Sequence, residues 1–222
     1  MRGRLRAALA ISRVPMKTNV YVDGFNLYYR CLRGTPYKWL DVSAVCRRVF
    51  PTHQIHRIRY FTARVRGTEN DPQKPQRQAT YIRALKTIPN LFVHYGRFLS
   101  HRRRMRLATP PPSGPQSVEV IRTEEKGSDV NLATFLLVDG FQGDYDVAIV
   151  VSNDSDLEKP IQLIQEKLGL KVDVLSPSKN PSWKLKEVAR WYRRIWPSTL
   201  KACQFPPMLE DENGTFAKPD CW

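Results

Sequence analysis

The chain has 222 residues, 41% of them hydrophobic, and carries 36 Lys and Arg against 21 Asp and Glu, a formal net charge of +15 with a pI near 9.9. That length suffices for one α/β core with a tail, no apolar run is long enough to span a membrane, and a basic surplus of this size points to a polyanionic partner, nucleic acid ahead of an anionic membrane surface. The cysteines Cys31, Cys46, Cys203 and Cys221 form no CxxC pair and make no zinc pattern with His53, His56, His94 and His101, so free thiols in a reducing compartment are expected.

Residues 1–16 read as an extension. A basic start and small apolar residues suggest a signal peptide, but Arg6 interrupts the apolar run and Arg13 follows closely. The segment is therefore expected to be disordered and the protein cytoplasmic. Residues 18–23, TNVYVD, form a short strand ending in Asp23. Gly24 permits a tight exit, and Asn26 lies at the start of the helix that follows. Asp23 or Asn26 can equally cap that helix, because Asp and Asn are favoured there.

Residues 39–50 carry an imperfect apolar helical face, stopped by Pro51. Residues 55–65 alternate and are rich in β-branched and aromatic side chains, which predicts a strand. Its Arg57, Arg59, Arg64 and Arg66 read as a solvated edge or as RNA contacts. A helix is expected from a Pro-containing loop at 71–75 through about residue 86, then one strand over 91–99. Residues 101–118 are the least regular: Arg102, Arg103, Arg104 and Arg106 precede Thr-Pro-Pro-Pro-Ser-Gly-Pro, an exposed loop or irregular hairpin. Such a cluster can bind a phosphate backbone or be a solvated charge run. Residues 118–121 return as a strand, with Glu124 and Glu125 expected in solvent. Ser128 suits an N-cap for a helix with apolar positions 130, 133, 136, 137 and 141. Asp129 falls in its first turn, where the dipole favours a carboxylate. Lys126 either offsets phosphate or carboxylate charge or is a surface lysine.

Residues 144–156, DYDVAIVVSNDSD, contain a strand apolar on both faces, as in a parallel sheet. Ser152 and Asn153 leave it at its carboxyl end, where open α/β sheets bind ligands. Asp154 and Asp156 follow. Two acids so placed are costly without a nearby cation, and hard oxygen donors select Mg²⁺ or Mn²⁺. A helix cap at Asp154 or Ser155 is the plainer alternative. A helix over 157–168, a strand over 171–175, a basic helix over 183–194 and a Pro-rich tail complete the chain. The tail is expected to pack through Phe205, Phe216 and Trp222. The alternation predicts an α/β fold, a three-layer α/β/α sandwich around a mainly parallel sheet.

Three segments, VYVDGFNLYY, EKGSDVNLATFLL and DVAIVVSNDSDLEKPI, closely resemble the signature segments of the NYN domain family, a branch of the PIN-like nucleases. RIRYFTARV, PQRQATYIRAL and GTFAKPDCW resemble one bacterial branch of it. The resemblance implies a domain over 17–196 with a tail over 197–222, and a PIN-like, five-stranded sheet in the order 3-2-1-4-5. That order sets strands 1 and 4 side by side, Asp23 beside Asp154, with Asp129 and Asp156 on flanking helices. It implies catalytic roles for Asp23, Asn26, Asp129, Asp154 and Asp156, with the four aspartates holding Mg²⁺ or Mn²⁺. Lys126, Ser152, Asn153, Arg102, Arg103 and Arg104 are the candidate substrate contacts. The expected activity is hydrolysis of phosphodiester bonds in single-stranded RNA. Alternatives are a non-catalytic RNA-binding module of the same family, a DNA substrate, or a metal-dependent phosphatase of small molecules, though Asp23 lacks the second acid of an Asp-x-Asp pair. RNA is the expected partner, no membrane is, and a homodimer stays open.

Overall fold

β-Branched runs set the architecture. In chain order, the computed structural model, which describes residues 16–222, has Met16–Asp23 (β1), Gly24–Leu27 (α1), Val42–Val49 (α2), His53–Thr62 (β2), Lys74–Lys86 (α3), Leu91–Tyr95 (β3), Arg97–Arg106 (β4), Ser117–Lys126 (β5), Ser128–Phe141 (α4), Val147–Val151 (β6), Glu158–Leu168 (α5), Lys171–Ser176 (β7), Trp183–Val188 (α6), Trp191–Arg194 (β8), Pro197–Ala202 (α7), Met208–Asp211 (β9) and Gly214–Ala217 (β10). A π-helix, Tyr28–Leu32, continues α1, and a 3₁₀ turn, Ser155–Leu157, precedes α5. Met16, expected in the extension, instead opens β1. The rest of the expected extension lies outside the described residues. Among the described residues, no helix is long and apolar enough to cross a membrane.

Six strands pair in parallel in the order β3-β2-β1-β6-β7-β8. The first five follow the expected 3-2-1-4-5 order, and helices flank the sheet. The sixth strand is a correction. Where one basic helix is expected over 183–194, α6 ends at Val188 and β8 follows. Ala189 takes an extended backbone, and the Arg190 amide donates to the Val172 carbonyl, docking the chain on β7. The expected strand over 91–99 also divides. Gly96 separates β3, in the sheet, from β4, which leaves it to pair with β5 as a two-stranded antiparallel hairpin. The supposedly irregular 101–118 segment thus contributes to two regular strands. Its prolines sit in the connection between them.

Strand alternation divides the core by face. Val20, Val22, Ile58, Ile149 and Val151 pack with Trp39 and the residues around it. Tyr21, Phe61, Ala148, Val150, Val172 and Val174 pack beneath Leu132, Leu136 and Ile161. Phe205, Phe216 and Trp222 approach the Trp39 ring to between 5.8 and 6.4 Å.

On the α4 face, Asp139 is almost wholly buried. Arg59 clasps it with Nε and Nη2 at 2.7 and 2.8 Å, and the Tyr21 hydroxyl donates to it at 2.8 Å. Arg59 also lies 4.3 Å from the Phe135 ring centroid. Arg57 reaches Asp144 at 2.5 Å, and Arg64 lies over Tyr95. Of the four arginines expected at a solvated edge or on RNA, Arg57 and Arg59 are thus held by carboxylates of the fold, while Arg64 stays exposed. Removing one partner of a buried pair strands the other charge. Asp139→Ala is expected to destabilise the protein by about 3–5 kcal/mol, read as a lower urea midpoint at unchanged slope.

Candidate active site

The sheet's switch point decides where the acids meet. Val22 of β1 pairs with Val151 of β6, so the two strands end together. Period-two alternation sends Asp23 to the face of Tyr21, and Ser152 to the face of Val150. Both look toward α4. The Ser152 hydroxyl donates to Asp23 Oδ2 at 3.0 Å and accepts the Asp154 amide at 3.1 Å. A buried hydroxyl, expected to touch substrate, thus joins two carboxylate-bearing turns.

The capping interpretations also hold. Asp23 Oδ1 accepts the Asn26 amide at 2.9 Å and caps α1, while Asp154 Oδ1 accepts the Asp156 amide at 3.1 Å and caps the 3₁₀ turn. A cap uses only some of a carboxylate's acceptor sites. Capping and ligand binding are compatible here.

Asp129 reaches the same edge from α4. With Leu132, Leu136 and Asp139 it forms one helical stripe, and the last three are buried. The apolar face expected at positions 130 to 141 is rotated: Val130 and Phe141 are each 68% exposed. The N-cap also differs. Gly127, at φ 101°, holds the cap position, and Ser128 lies inside the helix, donating its amide and hydroxyl to Glu125 Oε1 at 3.2 and 2.8 Å. Glu125, expected in solvent, therefore anchors the helix start. Glu124 pairs with Arg122 and Lys126.

These carboxylates share one electrostatic field. Burial lifts the Asp23 carboxyl to about 7, and the charges of Asp129 and Asp154 add to the lift against the hydrogen bonds from Asn26 and Ser152. Partial desolvation raises Asp129 as well, with Asp154, Glu125 and Asp156 contributing. Asp156 is exposed at the mouth.

The other candidates divide. Asn26 Oδ1 accepts the Asn153 amide at 3.1 Å, leaving its Nδ2 hydrogens for a ligand. The Asn153 side chain is turned into the protein. Its Oδ1 accepts from Ser176, the Ser182 amide and Tyr192, and its Nδ2 donates to the Asn180 carbonyl. It is a strut between β6 and β7, its amide oxygen fully engaged. Lys126 ends β5 on the surface, 3.2 Å from Glu124. Arg102, Arg103 and Arg104 line the exposed hairpin, away from the carboxylates in sequence but attached to them at its root. There Gly96 donates to the Thr62 carbonyl at 2.7 Å, and Phe98 meets Phe25 edge-on. An added Cβ at Gly96 would strike Glu125, Lys126 and Ser128.

A family model described as the NYN domain matches residues 17–195. The chain belongs to the NYN domain family. A relative of this NYN protein from Pseudomonas putida (strain DSM 28022 / S16), named 6-hydroxy-3-succinoylpyridine 3-monooxygenase HspA, is 30% identical over 237 residues, covering 94% of this chain and 76% of that protein. The crystal structure of a protein of unknown function, VPA0982 from Vibrio parahaemolyticus RIMD 2210633, is similar with a TM-score of 0.55 at 19% identity, over 84% of this chain and 96% of that one. At that identity the likeness is one of fold.

Whether the NYN carboxylates suit a cation depends on their spacing. Among the described residues, no three carboxylate, imidazole or thiol groups stand close enough to grip one ion directly. The donors are hard oxygens in an anionic cleft, which fits Mg²⁺ or Mn²⁺ held by one or two carboxylates and otherwise through water. Asp23 binds its proton more tightly in the fold than in the unfolded chain, where its ordinary value is 3.8. The stability this confers is present below pH 4 and lost as pH rises through 7. In EDTA, Asp23→Asn is expected to melt above wild type at pH 8, with the gap closing toward pH 4. Mn²⁺ at pH 8 should raise the wild-type melting temperature and leave that of Asp23→Asn unmoved. Thermal denaturation at the two pH values checks both.

Proposed function

We propose that this protein is a metal-dependent ribonuclease that hydrolyses phosphodiester bonds of single-stranded RNA, cutting within the chain. The observation that carries the reading is the meeting of Asp23, Asp129 and Asp154 at the carboxyl edge of adjacent strands β1 and β6, with the Asp23 carboxyl raised to about 7. Like charges crowded in this way are relieved by a bound cation.

Asp23 and Asp154 would hold the ion, with Asp129 and Asp156 reaching it through waters. A cation there supplies Lewis acidity toward a phosphoryl oxygen and makes water easier to deprotonate. Asn26 Nδ2 donates toward a phosphate oxygen, and exposed Asp156 orients the incoming water. The arginines of the β4–β5 hairpin supply sequence-independent grip on the backbone. The root of that arm adjoins the first turn of α4, so RNA lying along it would run toward the carboxylates.

The oxygenase chemistry in the Pseudomonas relative's name has less support in these residues. A non-haem iron site favours two histidines and a carboxylate. Here His53 bonds Thr18, His56 faces Asp144, His94 stacks on Phe61, and His101 sits on the hairpin. The non-catalytic RNA-binding reading draws on the wide spacing of the acids.

End-labelled single-stranded RNA and DNA, incubated with Mn²⁺, Mg²⁺ or EDTA, separate the cases. RNA cutting that requires metal and falls about 100-fold or more in Asp154→Asn is the expected result. Salt-sensitive binding without cutting would favour the binding module. Replacing Arg102, Arg103 and Arg104 together by Ala should lower affinity for every RNA sequence alike. It should also shrink the slope of log affinity against log salt by about 2, at roughly 0.7 per phosphate contact on single strands. Fluorescence anisotropy across a salt series measures it.

A further inference from the structure

A cavity of about 380 Å³ opens beside the acid cluster, a volume typical of small-molecule sites. Its connection to the cluster is covalent and close. Gly24 lines it and directly follows Asp23. A Cβ at Gly24 would come within 2.7 Å of both the Tyr60 ring and the Phe61 carbonyl oxygen, so only glycine lets that ring lie against the turn. Tyr60 is thus a wall common to the cavity and the carboxylates, and the Asp23 charge, after burial, helps to raise its phenol.

The walls are flat rings. Phe25 stacks with Tyr29 at 6.3 Å, Tyr28 meets Tyr29 edge-on at 5.2 Å, and the Trp222 and Tyr81 rings lie 5.9 Å apart. Tyr28 and Tyr29 are presented by the π-helix, a backbone form rare elsewhere and frequent at functional sites. Tyr29 remains 49% exposed. Cations stand among the rings. Arg77 is neutralised by Asp71 at 2.5 Å, whereas no carboxylate of a described residue pairs with Lys38 or Lys74. Flat apolar plates, unspent positive charge and a direct junction with the acids describe a ligand that is aromatic at one end and anionic at the other.

We propose that this cavity is a base pocket, which seats the base of a nucleotide flanking the phosphate to be cut and holds that nucleotide's own phosphate with Lys38 and Lys74. The proposal rests on the nuclease reading for the word flanking, but not for the binding itself. Stacking on aromatic side chains is the common way in which single strands are held, and the pocket gives an otherwise sequence-blind nuclease a base preference.

Calorimetric titration of the Asp154→Asn protein in EDTA with each of the four ribonucleoside 5′-monophosphates, and with nicotinate as a free aromatic acid, tests it. At least one nucleotide is expected to bind. Affinity should fall about 5- to 150-fold in Tyr29→Ala, the range for one lost base stack, and return in Tyr29→Phe. Lys38→Met should weaken the nucleotide more than the corresponding nucleoside. In parallel, Tyr29→Ala in the otherwise wild-type protein should flatten the preference among RNA homopolymers. If wild type cuts RNA, yet no nucleotide binds and Tyr29→Ala keeps the preference, the base pocket is wrong and the nuclease stands. If nucleotides bind with this variant pattern and nothing is cut, the pocket stands and the catalytic reading falls. Binding of nicotinate alone overturns the proposal in favour of a small-molecule site.

Discussion

A carboxylate kept at 4% exposure among others of its own sign must be restrained by its surroundings, and at Asp23 the restraint is two hydrogen bonds. One comes from the amide of Asn26, in the first turn of α1. The other comes from Ser152, directly after the neighbouring strand β6. Through Ser152 the same bond network reaches the Asp154 amide. The parallel pairing of β1 with β6, the entry into α1 and the turn toward α5 are therefore fastened at one point. These bonds lower the carboxyl's affinity for a proton but do not overcome burial and like charge. What remains uncompensated is what a cation would relieve.

Around that point the structure separates positioning from contact. Ser152 and Asn153 belong to the frame. Their hydrogen bonds are internal, and Asn153 in particular ties β6 to β7 and to the loop before α6. Asn26, Asp129 and Asp156 keep capacity toward solvent. Glu125 stands between the two groups, anchoring α4 while adding its charge to the field at Asp129. An acid three residues before Ser128 was the available sign of this anchoring, but in sequence it cannot be told from a solvated glutamate.

The β1 and β6 strands and the acids at their ends were legible, because buried parallel strands leave continuous apolar runs and their ends are marked by Gly, Asn and Asp; the order of the first five strands followed only from the resemblance to the NYN family. The arginines of β2 were not. Arg59 looks like any charge on a strand until Asp139, 80 residues away, is brought over it. The second half of the 183–194 segment was misread for a related reason: Tyr192 and its neighbours fit a helical stripe as well as a strand. Partnership with β7 decides the matter, and that is a tertiary fact. Gly96 was equally silent, since a glycine within a strand pattern does not say whether the strand bulges or leaves its sheet.

The strand that the sequence concealed has a bearing on colloidal behaviour. β8 is four residues long and ends the sheet, so among the described residues no strand lies along its outer side. An open edge is a template on which further chains can add and grow toward fibrils. Arg193 and Arg194 flank this edge, 4.9 Å from the Trp191 ring centroid and 4.7 Å from that of Trp196, whereas Arg190 is neutralised by buried Asp173. A short strand crowded by guanidinium groups repels an identical edge. Part of the chain's basic surplus thus lies where it opposes the addition of a further strand.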